Sequence, residues 1–336
     1  MILAGDIGGT KTVLALYRPE DPIGQPYRVQ KYASVDHPSL APIVENFLGS
    51  LDEGPRVAAF GIAGPVIGRT VSTTNLPWVV DAGQLEQYFE IRQVDLLNDL
   101  QATACAVPFL EPGDVCTLHA QSADPGGPIA VVAPGTGLGV AFLVRTEQGY
   151  QALSTEGGHM SFGPCSPIES ELLGFLRERF GHVSYERIAS GSGLPNIYDY
   201  LLSRGHCPEP AWLKAELNAA DDRTPIIVNA ALEQRAEICT TTLDLFVRVL
   251  GGAVGNVELL LLPSGGVYLG GGIPPRILER LKRPDFLEAI HAKGRSRPLL
   301  ERIPVHVILD PEAALHGAAR HARRKEAELL SQEAKR

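Results

Sequence analysis

Two glycine turns, each joining a pair of apolar β-runs and standing far apart in the chain, constrain this sequence more than any other feature. The first runs Ile2-Leu3-Ala4-Gly5-Asp6, then Ile7-Gly8-Gly9-Thr10-Lys11, then Val13-Leu14-Ala15-Leu16-Tyr17. The second runs Ile129-Ala130-Val131-Val132-Ala133, then Pro134-Gly135-Thr136-Gly137-Leu138-Gly139, then Val140-Ala141-Phe142-Leu143-Val144. Each reads as strand, tight turn, strand. A tip without Cβ atoms lets backbone N–H groups approach an anion, and a Thr hydroxyl adds a donor. One such turn alone is as readily an ordinary hairpin. Two suggest tips that hold the phosphates of one nucleotide from opposite sides. Other phosphate motifs fit less well. Gly5 to Thr12 has Thr10 where a P-loop needs its second Gly, and a strand follows it instead of a helix. The second turn is spaced G-x-G-x-G with no helix after it, which disfavours a Rossmann dinucleotide site.

The remaining pattern is α/β. Strands are expected at Tyr27 to Ser34, Arg56 to Ala63, Val71 to Asn75 and Val94 to Leu97, with helices at Ser39 to Leu51, Asp81 to Phe89 and Leu100 to Val107. After a loop-rich stretch from Ser154 to Pro167, helical spacing appears at Ile168 to Phe180, Leu194 to Ser203, Ala211 to Ala219 and Pro225 to Asn256. A strand at Val267 to Leu269, a helix around Pro275 to Leu281, a strand at Val305 to Leu309 and a helix from Glu312 complete the order. Two βββαβ-like halves, each opening on a glycine hairpin, predict a two-lobed α/β architecture with a cleft between lobes. With 336 residues, 44% of them hydrophobic, the chain has room for two cores. The expected boundary lies near Pro108: a small domain over 1–108, a large one over 109–309, and a final helix of about 310–336 returning to the small domain. One continuous domain is the alternative.

Composition narrows the class of partner. The net charge is −9, and the only basic run is Arg320-His321-Ala322-Arg323-Arg324-Lys325, where Glu326, Glu328 and Glu333 interleave. A solvated helix face is therefore expected there, and nucleic acid is not expected as a partner. No signal peptide and no run of eighteen apolar residues is visible, so no membrane association is expected. The five cysteines are scattered without a C-x-x-C pair, which predicts reduced thiols and a cytoplasmic protein.

Several polar residues stand where chemistry is expected. Asn98-Asp99 falls where a strand becomes a helix, the end of an α/β sheet at which ligands bind. A carboxylate held there can accept a hydroxyl proton during phosphoryl transfer, although taken alone a plain helix N-cap is the favoured reading of the pair. Glu156-Gly157-Gly158-His159 can bend so that acid and imidazole face one hydroxyl-rich ligand. A zinc role for His159 lacks partners, since only Cys165 is near. Glu186 by itself reads as a surface acid or a partner of Arg187. Gly270-Gly271-Gly272 permits close approach of a flat ring or phosphate, or is a packing requirement.

Taken together, Asp6-Ile7-Gly8-Gly9-Thr10, Asn98-Asp99, Gly135-Thr136-Gly137-Leu138-Gly139, Glu156-Gly157-Gly158-His159, Glu186-Arg187-Ile188-Ala189-Ser190-Gly191 and Gly270-Gly271-Gly272 resemble the bacterial glucokinase family, from about residue 2 to about residue 321. That family has the sugar kinase, Hsp70 and actin ATPase fold (ribonuclease H-like). The resemblance implies ATP-dependent phosphorylation of the glucose 6-hydroxyl with Mg²⁺, feeding glycolysis. It implies Asp99 as catalytic base, and Asn98, Glu156, His159 and Glu186 on the other sugar hydroxyls. Gly8, Gly9, Thr10, Gly135, Thr136 and Gly137 would hold phosphates, Asp6 would position Mg²⁺ through water, and Gly270 to Gly272 would lie against the adenosine. A homodimer and closure over the sugar are further implications. The chain departs from the repressor–ORF–kinase relatives: it has no Cys-rich motif after Glu156–His159, so no structural zinc is expected. Lys11 stands where these glucokinases often carry Asn, and it either contacts the terminal phosphate or faces solvent. The rival functions are a nucleotide-driven conformational switch, which has no room for a peptide-binding domain, and a silent sugar sensor, which has no need of Asp99. Polyphosphate is the alternative phosphoryl donor.

Overall fold

The computed structural model describes residues 1–49, 51 and 53–334. The strands in chain order are β1 (Ile2–Ile7), β2 (Lys11–Tyr17), β3 (Arg28–Ala33), β4 (Val57–Ile62), β5 (Val66–Ile67), β6 (Thr70–Ser72), β7 (Val79–Asp81) and β8 (Gln93–Asn98), followed by β9 (Val115–His119), β10 (Ile129–Pro134), β11 (Leu138–Thr146), β12 (Gly149–Thr155), β13 (Gly266–Leu269) and β14 (Val305–Ile308). They form a five-stranded sheet of order β3-β2-β1-β4-β8, a six-stranded sheet of order β12-β11-β10-β13-β14-β9, and a small sheet of β5, β6 and β7. The two large sheets repeat one plan. An antiparallel hairpin (β1–β2, β10–β11) gains a parallel neighbour on its first strand (β4, β13) and then another parallel strand (β8, β14). Contacts divide the chain into two compact units. The first comprises Met1–Pro112, Thr146–Ser154 and the chain from Asp310 on; the second comprises Gly113–Arg145 and Thr155–Leu309.

In the first unit β1 is central, so both of its faces are buried and its sequence is apolar from Ile2 to Gly5 rather than alternating. The period of two still sorts the contacts. Leu3, Ile7, Leu14 and Leu16 pack with Ile43, Val44 and Phe47 of the helix Leu40–Leu48. Ile2, Ala4, Val13, Ala15 and Tyr17 pack with Leu315, Ala318, Ala319 and Ala322 of the helix Ala313–Glu333. That last helix crosses the helix Asp99–Ala106 so closely that a Cβ on Gly317 would run into the carbonyl of Ala102. The expected helix from Ser39 to Leu51 ends at Leu48, with Gly49 at a left-handed φ of 55° as its C-cap; position 50 lies outside the described residues, as do the last two of the expected C-terminal helix. The expected strand Val71 to Asn75 is only Thr70–Ser72, because Thr73 turns to bond the carbonyls of Leu76 and Trp78.

The second unit is built around the helix Glu237–Leu261, whose buried face includes Leu243, Phe246, Leu250 and Val254. Where one helix was expected from Pro225 to Asn256, there are two, Thr224–Leu232 and Glu237–Leu261. The break lies at Gln234, which adopts φ 55°, while Arg235 N–H returns to the Ala230 carbonyl at 2.9 Å. A left-handed residue with that return bond is a helix C-terminus, made here without glycine or proline and therefore silent in the sequence. The expected helix around Pro275 to Leu281 is likewise two short ones, Ile273–Arg276 and Leu278–Leu281. The helix Glu237–Leu261 is long and apolar enough to cross a membrane, but 78% of the qualifying window is buried inside the protein. All-round apolarity with that burial is what a central core helix requires.

Candidate active site

The chemistry-bearing residues of the first unit collect at the C-terminal ends of its parallel strands. Register sets Asp6 of β1 opposite Gly61 of β4 and Ile62 opposite Asn98 of β8. Past Ile7 the chain turns through Gly8-Gly9-Thr10, closed by Gly8 N–H to the Lys11 carbonyl at 2.9 Å. Ser34 braces this tip: its N–H donates to the Thr10 carbonyl (3.0 Å) and its hydroxyl to the Gly8 carbonyl (2.8 Å). A Cβ on Gly9 would stand 2.7 Å from Cβ of Asn75, so only glycine fits beneath that residue. The carbonyls of Gly8 and Thr10 are engaged, whereas the Gly9 and Thr10 N–H groups donate to nothing among the described residues. Outward N–H groups on a tight turn make an anion-binding surface.

Asp6 and Asp99 carry the electrostatics here. Burial pushes the Asp6 carboxyl up to about 6; the Lys11 charge opposes this, and Asp99 and Glu312 add to it. Asp99 keeps an exposed surface, yet desolvation by the protein around it also raises its carboxyl, against the pull of the Leu100 N–H donated to Oδ1 at 2.8 Å. Asn98 is the N-cap of the helix Asp99–Ala106, with Oδ1 accepting from Leu100 N–H (3.1 Å) and Nδ2 donating to the Gly64 carbonyl (3.1 Å). The bland reading of Asn98 as a cap is thus correct as local structure. The cap also fixes the side chain, which hydrogen-bonds the Asp99 carboxylate as well. Lys11 is exposed, and its charge reaches Asp6.

The second unit assembles its set around Glu186, which lies in the single turn Tyr185–Arg187. Glu186 Oε2 accepts from Leu138 N–H at 2.9 Å, at the tip of the β10–β11 hairpin. Its Oε1 faces His159 Nδ1 at 3.8 Å, and His159 Nε2 faces Glu156 Oε2 at 3.7 Å. Those separations exceed hydrogen-bond length, so the three side chains converge while keeping donors and acceptors available. Glycine makes the convergence possible. A Cβ on Gly137 would collide with the Glu186 carboxylate, and one on Gly158 would collide with the Leu138 carbonyl. Thr155 secures the Glu156 turn, donating its hydroxyl to the Val140 carbonyl (2.8 Å) and accepting Gly157 N–H (3.1 Å).

The hairpin tip itself is held from behind. Gly191 N–H donates to the Gly135 carbonyl (2.7 Å), Ser192 N–H to the Thr136 carbonyl (3.2 Å), and Gly135 N–H to the Gly137 carbonyl (2.9 Å). Thr136 and Gly137 N–H groups remain without partners among the described residues. Gly270 N–H bonds the Val132 carbonyl at 2.9 Å, and Gly271, at φ 79°, lies where a Cβ would be 2.7 Å from the Pro134 carbonyl. The turn after β13 therefore packs directly on the root of the hairpin.

Sequence reasoning missed the supports: Ser34, Asn75, Thr155, the backbone of Gly191 and Ser192, and the Glu312 charge acting on Asp6. Of these only Gly191 lay in a motif that the sequence made conspicuous.

Comparison with known proteins accords with this geometry. The family model described as Glucokinase matches residues 3–325. A glucokinase from Nostoc punctiforme is 39% identical over 333 residues, covering 95% of this chain and 98% of that protein. The crystal structure of a glucokinase from an Antarctic psychrotroph superposes with a TM-score of 0.83 at 32% identity, covering 96% of this chain and 98% of that one. A ROK family glucokinase from Streptomyces griseus, solved in complex with glucose and AMPPNP, shares the fold at 22% identity and a TM-score of 0.59, over 96% and 99% of the two chains. The fold is the actin-like ATPase architecture, and the chain belongs to the glucokinase family.

Proposed function

We propose that this protein transfers the γ-phosphoryl group of ATP to the 6-hydroxyl of glucose. In this reading the Asp99 carboxylate takes the hydroxyl proton as the sugar oxygen attacks the γ-phosphorus, and the bond to the β–γ bridging oxygen breaks to release ADP. Asn98, Glu156, His159 and Glu186 hold the remaining hydroxyls, since a carboxylate accepts from a sugar O–H and an amide or imidazole N–H donates to its oxygen. The outward N–H groups of Gly9, Thr10, Thr136 and Gly137 take the phosphates, with Gly8, Gly135 and the Thr hydroxyls shaping the two tips. Gly270 to Gly272 present a surface without side chains to the adenosine. A carboxylate suits a hard cation that keeps its waters; Asp6 would hold Mg²⁺ through water, and the cation would neutralise phosphate charge. Lys11 stands close enough to share that charge balance. We assign the two compact units as the small and large domains of the kinase, and expect a cytoplasmic homodimer.

The observation that carries this reading is Glu186. One of its oxygens is bonded to the glycine hairpin and the other faces His159, so a single side chain joins the phosphate-type loop to the hydroxyl-binding set. The test is ADP release from ATP and Mg²⁺ with a panel of hexoses and a no-sugar control, repeated with polyphosphate as donor. Glucose-dependent turnover with a low sugar-free rate is expected. Sugar-independent ATPase activity would favour the switch reading, and turnover with polyphosphate alone would remove ATP as the donor.

A further inference from the structure

A polar chain runs through the second unit behind Glu186 and has no part in the chemistry above. Lys293 Nζ donates to Asn256 Oδ1 at 2.6 Å and to the Gly252 carbonyl at 3.0 Å. Asn256 Nδ2 donates to the Tyr185 hydroxyl at 2.7 Å. Tyr185 is 4% exposed, packs edge-on against Phe162 at 5.4 Å, and directs its hydroxyl toward the Gly163 carbonyl at 3.5 Å. The chain has a direction. An ammonium can only donate, so it fixes the amide oxygen toward itself and the amide N–H toward the tyrosine.

Room for the lysine is built into the fold. A Cβ on Gly255 would stand 2.7 Å from Lys293 Cε, and one on Gly251 would press on the helix Pro284–His291, so these glycines let the lysine stem cross the core helix. The ammonium is partly desolvated there and also feels the charges of Glu258 and Glu169. Placing a charged group in such a setting is costly unless its hydrogen bonds are made.

Tyr185 sits at the junction of both sugar-facing segments. Its N–H donates to the Met160 carbonyl (3.0 Å), next to His159, and Phe162 N–H donates to the Val183 carbonyl (2.9 Å), while Glu186 follows it directly. We propose that Lys293, Asn256 and Tyr185 are positioning residues that set the Glu186 carboxylate against Leu138 and His159, and so govern affinity for the sugar without touching it. This rests on the reading of Glu186 as a sugar ligand.

Tyr185→Phe, Asn256→Asp, Lys293→Met and Lys293→Arg are to be assayed beside Glu186→Gln for KM of glucose, KM of ATP and kcat. Loss of one link should raise KM for glucose about five- to tenfold, the scale of one hydrogen bond. KM for ATP should move less than about twofold, and Lys293→Arg should restore most of the loss. General loosening of the fold would weaken both substrates together, and no single conservative variant would rescue it. Tyr185→Phe removes only an oxygen and keeps the packed ring, so it decides the matter if Lys293→Met does not fold. Unchanged glucose KM in Tyr185→Phe, or equal effects on both substrates, overturns the proposal. If Glu186→Gln also leaves glucose KM unchanged, the sugar-ligand reading itself has failed; if it does not, only the positioning chain has.

Discussion

At the residue scale the site depends on carboxylates held in states that isolated side chains would not favour. Asp99 is raised by desolvation, although it keeps an exposed surface and accepts a backbone N–H. A base with a raised pKa is a better proton acceptor, but it is also protonated at higher pH. The sign follows: activity is retained above the raised value and lost as pH falls through it. The acid limb of kcat/KM should therefore lie above the ordinary carboxylate range. Asp99→Asn should lower kcat by roughly 10²–10⁴, the span for losing a positioned acid–base group, with a smaller change in glucose affinity. Steady-state kinetics across pH 4 to 9 check both points, and near-normal turnover in the variant would remove Asp99 from the mechanism. The placement of Asn98-Asp99 was legible in sequence, because a strand-to-helix junction is a local signal. The Asp6 shift was not legible, since its causes are burial and the charges of Lys11, Asp99 and Glu312, which only folding brings together.

At the scale of elements, the glycines of the candidate site differ in whether the fold itself requires them. Gly271 has φ 79°, and its missing Cβ would press on the Pro134 carbonyl. Gly135 has open space where its Cβ would be. Gly271→Ala should destabilise the protein by about 2–4 kcal/mol, combining backbone strain and overpacking. Gly135→Ala should leave stability within about 0.5 kcal/mol, as at unencumbered positions, and raise KM for ATP because the new methyl group crowds the approach to the tip. Urea unfolding and ATP titration separate the two; an undisturbed ATP KM in Gly135→Ala would take that tip out of nucleotide binding. Long apolar runs such as Ile2–Ile7 and Ile129–Pro134 announced their strands directly. Among the pieces that escaped were β5 with two residues, β7 with three, β9 without a fully buried residue, β12 with a mostly exposed face, and the helices Pro284–His291 and Arg297–Leu300. Segments that short, or that exposed, carry too few apolar positions to establish a period. The bond from Glu186 to Leu138, 48 residues away, had no local signal at all.

For the whole molecule, the repeated sheet order gives the two glycine hairpins equivalent places. In each large sheet the first strand of the hairpin is joined by two parallel strands: β4 and β8 beside β1, β13 and β14 beside β10. Sites in open α/β sheets form at the carboxyl ends of such strands. In this chain those ends deliver Asp6 and Asn98-Asp99 in the first unit, and Pro134-Gly135 and Gly270 in the second. The repeat accounts for a glycine turn occurring twice, and the proposed reading expects both turns to respond to nucleotide. A non-hydrolysable ATP analogue with Mg²⁺ should slow amide exchange in peptides spanning 7–11 and in peptides spanning 134–139. Glucose alone should act chiefly on peptides spanning 97–100, 155–160 and 184–188. At a ligand concentration of about 100 Kd the stabilisation is about 2.7 kcal/mol, so amides that exchange only after ligand release should slow about a hundredfold. Protection of one hairpin by the nucleotide, with the other unchanged, would mean that the repeat is architectural and that only one turn binds phosphate.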